Sequence, residues 1–292
     1  MVYLNGDFIP QDEAKVSILD RGFLFGDSIY EVIPVYQGVP FRLPQHLARL
    51  RGGLDAIELA TPYSDEDWTD IIIQLVAQNG HGNQSLYLQV TRGITGPRSH
   101  TIPTNITPTV LVMSSLLSTP MLEQVETPQT QSAICVNDFR WGHCNIKTTS
   151  LLANVMLRQQ AQHAGVDEAI LIRNGQLTEG AASNIFVVKD GVVRTPPEGP
   201  NLLGGITRDL LIEIMAQHYI ECRQEPISQQ ALADADEIWV TSSTKEIAPL
   251  VSLDGSPINQ GLPGPLWKTV AKHYIAFKRA LCAPTHSKQD KS

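Results

Sequence analysis

Lys147 is the only lysine between Lys15 and Lys189 in this chain of 292 residues. Ile146 precedes it, and the Leu151-Leu152 pair follows four residues on. Lysines are usually scattered over solvated faces as strongly hydrated point charges. One set among apolar neighbours reads as a partly buried amine, which loses its proton readily and can attack carbonyl carbon. Other residues have types that such an amine would need. Glu179 stands in Leu177-Thr-Glu-Gly180, with a glycine directly after it. Leu203-Gly-Gly-Ile-Thr-Arg208 places two glycines and Thr207 at a helix start, where backbone N–H groups can point at an oxyanion. Thr241-Ser-Ser-Thr244, which includes Ser243, adds hydroxyl donors after a strand, and Arg49 lies on the polar side of a helix.

One chemistry uses all of these. An amine that forms a Schiff base with the aldehyde of pyridoxal 5'-phosphate needs an acid at the ring nitrogen, because the protonated ring is the electron sink. It also needs donors for a dianionic phosphate and an apolar face for the ring. Taken singly, each candidate has a plainer explanation: a carboxylate exposed at a turn, a loop-to-helix junction, hydroxyls capping turns, a surface arginine. His143 and Cys144 are adjacent in the chain and so are not presented to each other as base and nucleophile. No third ligand lies at metal spacing from them, so hydrolytic and metal-centred chemistry is set aside.

The bulk properties narrow the partners. A formal net charge of -8 and a pI near 5.5 argue against nucleic acid and anionic membranes. With 42% hydrophobic residues the composition is that of an ordinary globular protein with ample core. The four cysteines show no Cys-x-x-Cys pairing, no secretory leader opens the chain, and no apolar run approaches the roughly 20 residues of a membrane span. The expectation is a cytoplasmic protein with free thiols.

Periodicity supplies the elements that must hold these residues. Met1 to Gly6 reads as a strand and turn. Glu31 to Tyr36 reads as a strand whose Pro34 implies an edge or a bulge. Pro44 opens a helix striped by Leu47, Leu50, Leu54 and Ile57, and Ser64 with Asp67 starts a second one bearing Trp68, Ile71, Ile72 and Leu75. Strands are expected at Leu86 to Thr91 and at Thr109 to Met113, joined by a loop containing Arg98-Ser-His100. A polar stretch with two prolines then reads as a linker. Beyond it come a strand at Ala133 to Val136, the Lys147 loop, and a helix from Ser150 to Ala164 that Gly165 caps. Asn174-Gly175 and Asp190-Gly191 each sit between apolar runs as hairpin turns. A helix from Ile206 to Tyr219, a strand from Glu237 to Thr241 and a helix from Pro265 to Leu281 complete the pattern. The expected organisation is an N-terminal α/β domain over 1–118, an interdomain linker over 119–131, a C-terminal domain over 132–282 and a disordered tail over 283–292.

In order along the chain, these motifs resemble the class IV, or fold-type IV, pyridoxal-phosphate aminotransferases. Within that family they are most similar to the D-amino-acid (D-alanine) aminotransferases. The resemblance is carried by Asp20-Arg-Gly-Phe-Leu-Phe-Gly-Asp-Ser-Ile-Tyr-Glu-Val32, Arg140-Trp-x-x-Cys-x-Ile-Lys147, Thr178-Glu-Gly-x-x-Ser-Asn184, Gly205-Ile-Thr-Arg208 and Thr241-Ser-Ser-Thr-x-Glu-Ile-x-Pro249. It implies an α+β (mixed α/β) fold of two domains with the cofactor between them. By the same resemblance Lys147 carries the cofactor and moves the substrate proton, while Glu179 pairs with the ring nitrogen. Arg49, Ile206, Thr207 and Ser243 hold the phosphate, and Leu203 packs on the ring. Tyr30, Arg98 and His100 bind the α-carboxylate, the last two on a loop that reaches in from the partner of a homodimer. The substrates implied are an amino acid and a 2-oxo acid, here D-alanine and 2-oxoglutarate. A branched-chain L-amino-acid aminotransferase or an aminodeoxychorismate lyase would share the scaffold, the former without Arg-x-His in this loop. The sequence departs from the D-amino-acid pattern at Asn145, Ala181, Ala182 and Ser243. Pro34, in the strand beside Tyr30, is a further departure and leaves side-chain preference open.

Overall fold

The computed structural model describes residues 1–80, 82–94, 96–102, 104–117 and 122–282. The N-terminal part contains β1 (Val2–Leu4), β2 (Asp7–Ile9), α1 (Arg21–Phe25), β3 (Ser28–Tyr36), β4 (Val39–Pro40), α2 (Leu43–Ala56), α3 (Asp65–Gln78), β5 (Gln84–Thr91) and β6 (Thr109–Leu116). Its six strands form one antiparallel sheet in the order β2-β1-β6-β5-β3-β4. Leu47, Leu50 and Leu54 of α2 and Trp68, Ile72 and Leu75 of α3 pack on Ile29, Ile33, Leu86 and Leu88 of that sheet. The expected capping box is present: Ser64 N–H donates to Asp67 Oδ2 at 2.9 Å, and Asp67 N–H donates to Ser64 Oγ at 3.1 Å. β3 begins three residues earlier than periodicity predicts. Pro34 pairs with Ser85 of β5, and on its other side, just past the two paired residues of β4, Phe41 N–H donates to Pro34 O at 2.8 Å. The missing N–H points to the same side as that carbonyl, away from β5, so no ladder bond to β5 is lost.

The C-terminal part contains β7 (Gln131–Asn137), α4 (Leu152–His163), β8 (Glu168–Arg173), β9 (Gln176–Gly180), β10 (Asn184–Lys189), β11 (Val192–Thr195), α5 (Ile206–Gln217), β12 (Cys222–Gln224), α6 (Gln229–Ala233), β13 (Glu237–Ser242), β14 (Glu246–Leu253), β15 (Ser256–Pro257) and α7 (Pro265–Cys282). A mixed nine-stranded sheet runs β12-β11-β10-β13-β14-β7-β8-β9, with β15 added on β14. Both predicted hairpins form. Asn174 and Gly175 have φ of +52° and +74°, and Asp190 and Gly191 have +52° and +75°, the paired positive values of a type I′ turn. The central strands are covered on both faces. Phe186 and Val188 of β10 join Trp239, Leu210, Trp267 and Tyr274 on one side, and Ile185 and Val187 join Ile238, Val240 and Leu250 on the other.

Three differences from the sequence expectations have local causes. α4 starts at Leu152, and Ser150 lies before it, its N–H donating to the Thr148 side chain at 2.9 Å. α5 ends at Gln217, since Tyr219 turns into the left-handed region at φ +57°. β14 was hidden by Pro249, which pairs with Trp239 of β13 but lies before the point where β7 joins, at Leu250. Leu122 and Val125, in the polar stretch, are buried in the C-terminal core beside Tyr36 and Phe41. The tail from 283 onward lies outside the described residues.

Candidate active site

The Lys147 loop comes from the C-terminal part but is hydrogen-bonded to the N-terminal sheet. Tyr30 N–H donates to Lys147 O at 3.0 Å, Thr148 bridges to Ile29, and Thr149 N–H donates to Ser28 O at 3.3 Å. The loop thus occupies the edge of β3 opposite β5. Its other end is pinned where Cys144 N–H donates to Pro200 O at 2.7 Å. With its backbone tied at both ends, Lys147 extends into a cavity of about 570 Å³ and its Nζ lies 4.1 Å from the Tyr30 ring centroid. The side chain is half-buried, and the surface it exposes is cavity wall. Burial pushes the amine down, and the Arg49 charge adds to that, to about 8; Glu31 and Glu179 offset only part of it.

The same cavity is lined by Tyr30, Arg49, Glu179, Leu203, Ile206, Thr207 and Ser243. Eight of the ten residues singled out in the sequence therefore converge on one space. Its volume is that of a small-molecule site.

Glu179 ends β9 and is buried. One of its oxygens pairs with Arg140 Nη1, and the other accepts from Leu203 N–H at 3.1 Å and from Asn184 Nδ2 at 3.4 Å. Burial pushes this carboxyl up, to about 7, against the pull of Arg140 and the Leu203 N–H. Arg140 is in turn held by Asp138, which accepts from Nε and Nη2, both at 2.9 Å. Asp138 also accepts from Thr178 Oγ1 at 3.0 Å. Burial works against ionising Asp138, but Arg140 overcomes it and holds the carboxyl at about 2. Sequence reading treated Arg140 only as motif text. The Asp-x-Arg spacing at 138–140 was the available signal, since it lets one arginine close a fork onto a carboxylate two residues away.

At another part of the cavity wall, α5 begins at Ile206 after Gly205 with no side-chain cap. Its first N–H groups, those of Ile206 and Thr207, therefore leave the helix end without a capping acceptor. Gly205 is needed for packing: a Cβ there would run into Asn184 Oδ1, and the same Asn184 donates from Nδ2 to Leu203 O at 2.8 Å. Arg49 stands nearby, its Nη1 on Gly204 O at 2.7 Å. A buried carboxylate aims it. Glu31 accepts from Arg49 Nε at 2.8 Å and from Nη2 at 2.7 Å, with His46 Nδ1 at 2.8 Å on the same carboxylate. Burial opposes the charge on Glu31, yet Arg49 and His46 hold it at about 2. Sequence reading missed Glu31 and His46. A carboxylate inside an apolar strand, opposite an arginine and a histidine three residues apart on one helix, was the signal available for them.

Arg98 and His100 are exposed and do not line this chain's cavity; both contact Phe25 of α1. Pro34 does not line it either. It lies four residues along the strand from Tyr30, which is more than 10 Å at about 3.3 Å per residue. Asn145 lines a separate cavity, which shares Arg49 and Ile206 with the main one. Ala181 and Ala182 do line the main one, Ala181 packing against Leu157 and Ala161 of α4.

The class IV amino-transferase family model matches residues 28–253. This chain belongs to the class IV aminotransferases. It is 39% identical over 269 residues to a D-alanine aminotransferase of Bacillus licheniformis, covering 92% of this chain and 94% of the relative. It is 35% identical over 277 residues to that of Staphylococcus haemolyticus, covering 94% and 97%. Among solved structures, the Escherichia coli branched-chain amino acid aminotransferase superposes with a TM-score of 0.84 at 25% identity, over 99% of this chain and 96% of that one. The branched-chain enzyme of Thermoproteus uzoniensis, solved with norvaline, gives 0.84 at 25% identity over 98% and 95%. Class IV aminotransferases work with pyridoxal 5'-phosphate, and the donor set here fits that group. The uncapped helix start with Arg49 suits its phosphate, Glu179 its ring nitrogen and the Lys147 amine its aldehyde. Among the described residues no helix is long and apolar enough to cross a membrane.

Proposed function

We propose that this class IV aminotransferase transfers the amino group of D-alanine to 2-oxoglutarate, reversibly, giving pyruvate and D-glutamate. The observation that carries the reading is the convergence on one cavity of the Lys147 amine, Glu179 and the uncapped start of α5. The choice of D-alanine is supported by relatives at 34–39% identity over most of the chain that are D-alanine aminotransferases. When bound, pyridoxal 5'-phosphate supplies the aldehyde that takes up nitrogen and the ring that delocalises electrons. With that group bound, Lys147 Nζ would be the base positioned to hold and move the substrate Cα proton. Burial and the Arg49 charge both favour the neutral amine, the form that can accept a proton. Glu179 holds the ring nitrogen's proton in place, with Arg140 behind it. Arg49, the N–H groups of Ile206 and Thr207, and Ser243 bind the phosphate, and Leu203 flanks the ring.

Arg98 and His100 of one subunit reach the neighbouring subunit's cavity and bind the substrate α-carboxylate there, together with the Tyr30 hydroxyl that belongs to that cavity. A guanidinium offers bidentate recognition there and the imidazole a directional donor. This requires a homodimer, and exposed apolar residues at Phe23, Trp141, Leu152, Val155 and Met156 support one. Domains over 1–118 and 132–282, with the cofactor between them, and a cytoplasmic location complete the reading. The test offers D-alanine, L-leucine and aminodeoxychorismate as donors to the purified holoenzyme. The expected result is a shift of the cofactor absorption with D-alanine and not with L-alanine, and turnover with 2-oxoglutarate. Turnover confined to L-leucine, or pyruvate released only from aminodeoxychorismate, would replace the proposal with the branched-chain or lyase alternative.

A further inference from the structure

The loop bearing Arg98 and His100 is latched onto the turn that α1 makes. Arg21, the first residue of α1, is 5% exposed and donates from Nη1 to Ser99 O at 2.6 Å. That carbonyl belongs to the residue between Arg98 and His100. The same nitrogen reaches Thr101 O at 3.5 Å. Asp27 aims the guanidinium, accepting its Nε at 2.8 Å on the oxygen that also accepts Arg92 Nε at 2.8 Å. Arg92 is buried in turn, with its Nη atoms on Ile57 O at 2.6 Å and Glu58 O at 3.2 Å. Phe25 gathers the side chains. The guanidinium carbons of Arg21 and Arg98 lie 4.8 and 4.9 Å from its ring centroid, and the His100 ring is 5.2 Å away. Backbone bonds close the turn on both sides, from Arg21 N–H to Gly93 O at 2.9 Å and from Arg92 N–H to Asp27 O at 3.1 Å.

One buried arginine, Arg21, is thus aimed at the backbone of an exposed loop, while a second, Arg92, braces the shared Asp27 against the end of α2. Arg21 and Arg92 are balanced by Asp27 and the α1 N-cap Asp20, so the exposed Arg98 is the guanidinium left for an incoming carboxylate. We propose that Arg21, aimed by Asp27, and Phe25 are positioning residues for the α-carboxylate site. Arg21 fixes the backbone between Arg98 and His100, and Phe25 fixes the directions of those two side chains. Substrate then meets a loop ordered in advance and does not bear the ordering cost itself. This rests on the assignment of Arg98 and His100 as carboxylate anchors.

The test is steady-state kinetics of the holoenzyme with D-alanine and 2-oxoglutarate for Arg21→Ala, Phe25→Leu, Phe25→Tyr and Arg98→Ala. Cofactor affinity and absorption are measured alongside. Arg21→Ala and Phe25→Leu are expected to raise KM for both substrates about tenfold, with kcat within about twofold. Phe25→Tyr, which keeps the ring, restores KM, and cofactor affinity does not move in any of the three. Arg98→Ala raises KM about a hundredfold. Should Arg98→Ala leave KM unchanged, the anchor assignment falls and this proposal with it. Should Arg98→Ala raise KM while Phe25→Leu does not, the anchors stand and only the latch is refuted. A loss in kcat and cofactor affinity in place of KM also refutes it. If Arg21→Ala does not fold, Phe25→Leu against Phe25→Tyr decides.

Discussion

Glu31 and Arg49 form a two-point ion pair at the wall of the cavity, with N–O distances of 2.8 and 2.7 Å. The carboxylate is fully buried and the guanidinium is partly open to the cavity. Neither of these two contacts leaves Arg49 free to swing toward solvent, so its remaining N–H groups face the start of α5. Glu31→Gln is expected to loosen that aim. The anticipated outcome is about a tenfold weaker binding of inorganic phosphate to the cofactor-free protein, with about 2 kcal/mol lost from stability. Isothermal titration with phosphate and chemical denaturation measure the two effects. Unchanged phosphate affinity would show that Arg49 is held by Gly204 O alone.

The depressed Lys147 amine sets a pH dependence. A buried lysine with a pKa of about 8 carries its full burial penalty below that pH, where folded and unfolded chains are both protonated. The penalty lifts as pH rises from about 8 toward the unfolded value of about 10.4. Lys147→Met should therefore stabilise the cofactor-free fold by about 1–3 kcal/mol at neutral pH, and less at alkaline pH. In the same cofactor-free protein, labelling of Lys147 by trinitrobenzenesulfonate should rise through pH 8 and level off near pH 9. An ordinary lysine keeps gaining reactivity beyond about pH 10. Peptide mapping across the pH series distinguishes the two profiles.

Arg140 sits between two buried carboxylates, Asp138 and Glu179. Removing it in Arg140→Met leaves Glu179 without its cation and Asp138 with only Arg173, at 3.1 Å, at a cost of about 3–5 kcal/mol. The Glu179 carboxyl, already raised to about 7, should rise further and stay protonated through neutral pH. Cofactor retention on gel filtration would then fall at pH 7 and recover partly at pH 9. Asp138 gives the opposite sign in acid. Held at about 2 in the fold, it contributes stability above its unfolded value of about 3.9, and that contribution fades as pH falls toward 2. Acid unfolding of Asp138→Asn should accordingly be less steep than that of the parent protein.

Gly205 tests the helix start. A methyl group there displaces the Asn184 amide, which donates to Leu203 O and Glu179. Gly205→Ala should weaken phosphate binding and also move the optical spectrum of the bound cofactor, because one asparagine connects both ends of the site. A spectrum identical to that of the parent protein would separate the two ends.

The sequence by itself determined the local elements and the chemistry. Paired positive-φ turns at Asn174-Gly175 and Asp190-Gly191 require no partner beyond their own hairpins, and the Ser64–Asp67 box needs only the first turn of α3. A lysine in an apolar setting, a carboxylate after a strand and a glycine-started helix pointed to one cofactor, since each type answers one electronic need. β14 was not legible, because Pro249 reads as a break until β13 is known to lie on one side only. Tertiary structure alone decided which residues aim the others. Glu31 is a charge in an apolar strand until His46 and Arg49 arrive from α2, and Arg140 is a motif letter until Glu179 comes within reach across the sheet. Arg21 likewise lies far along the chain from the Ser99 carbonyl it holds. Burial is a property of the whole packed core, so the ion pairs that burial makes strong can be located only once the chain has folded.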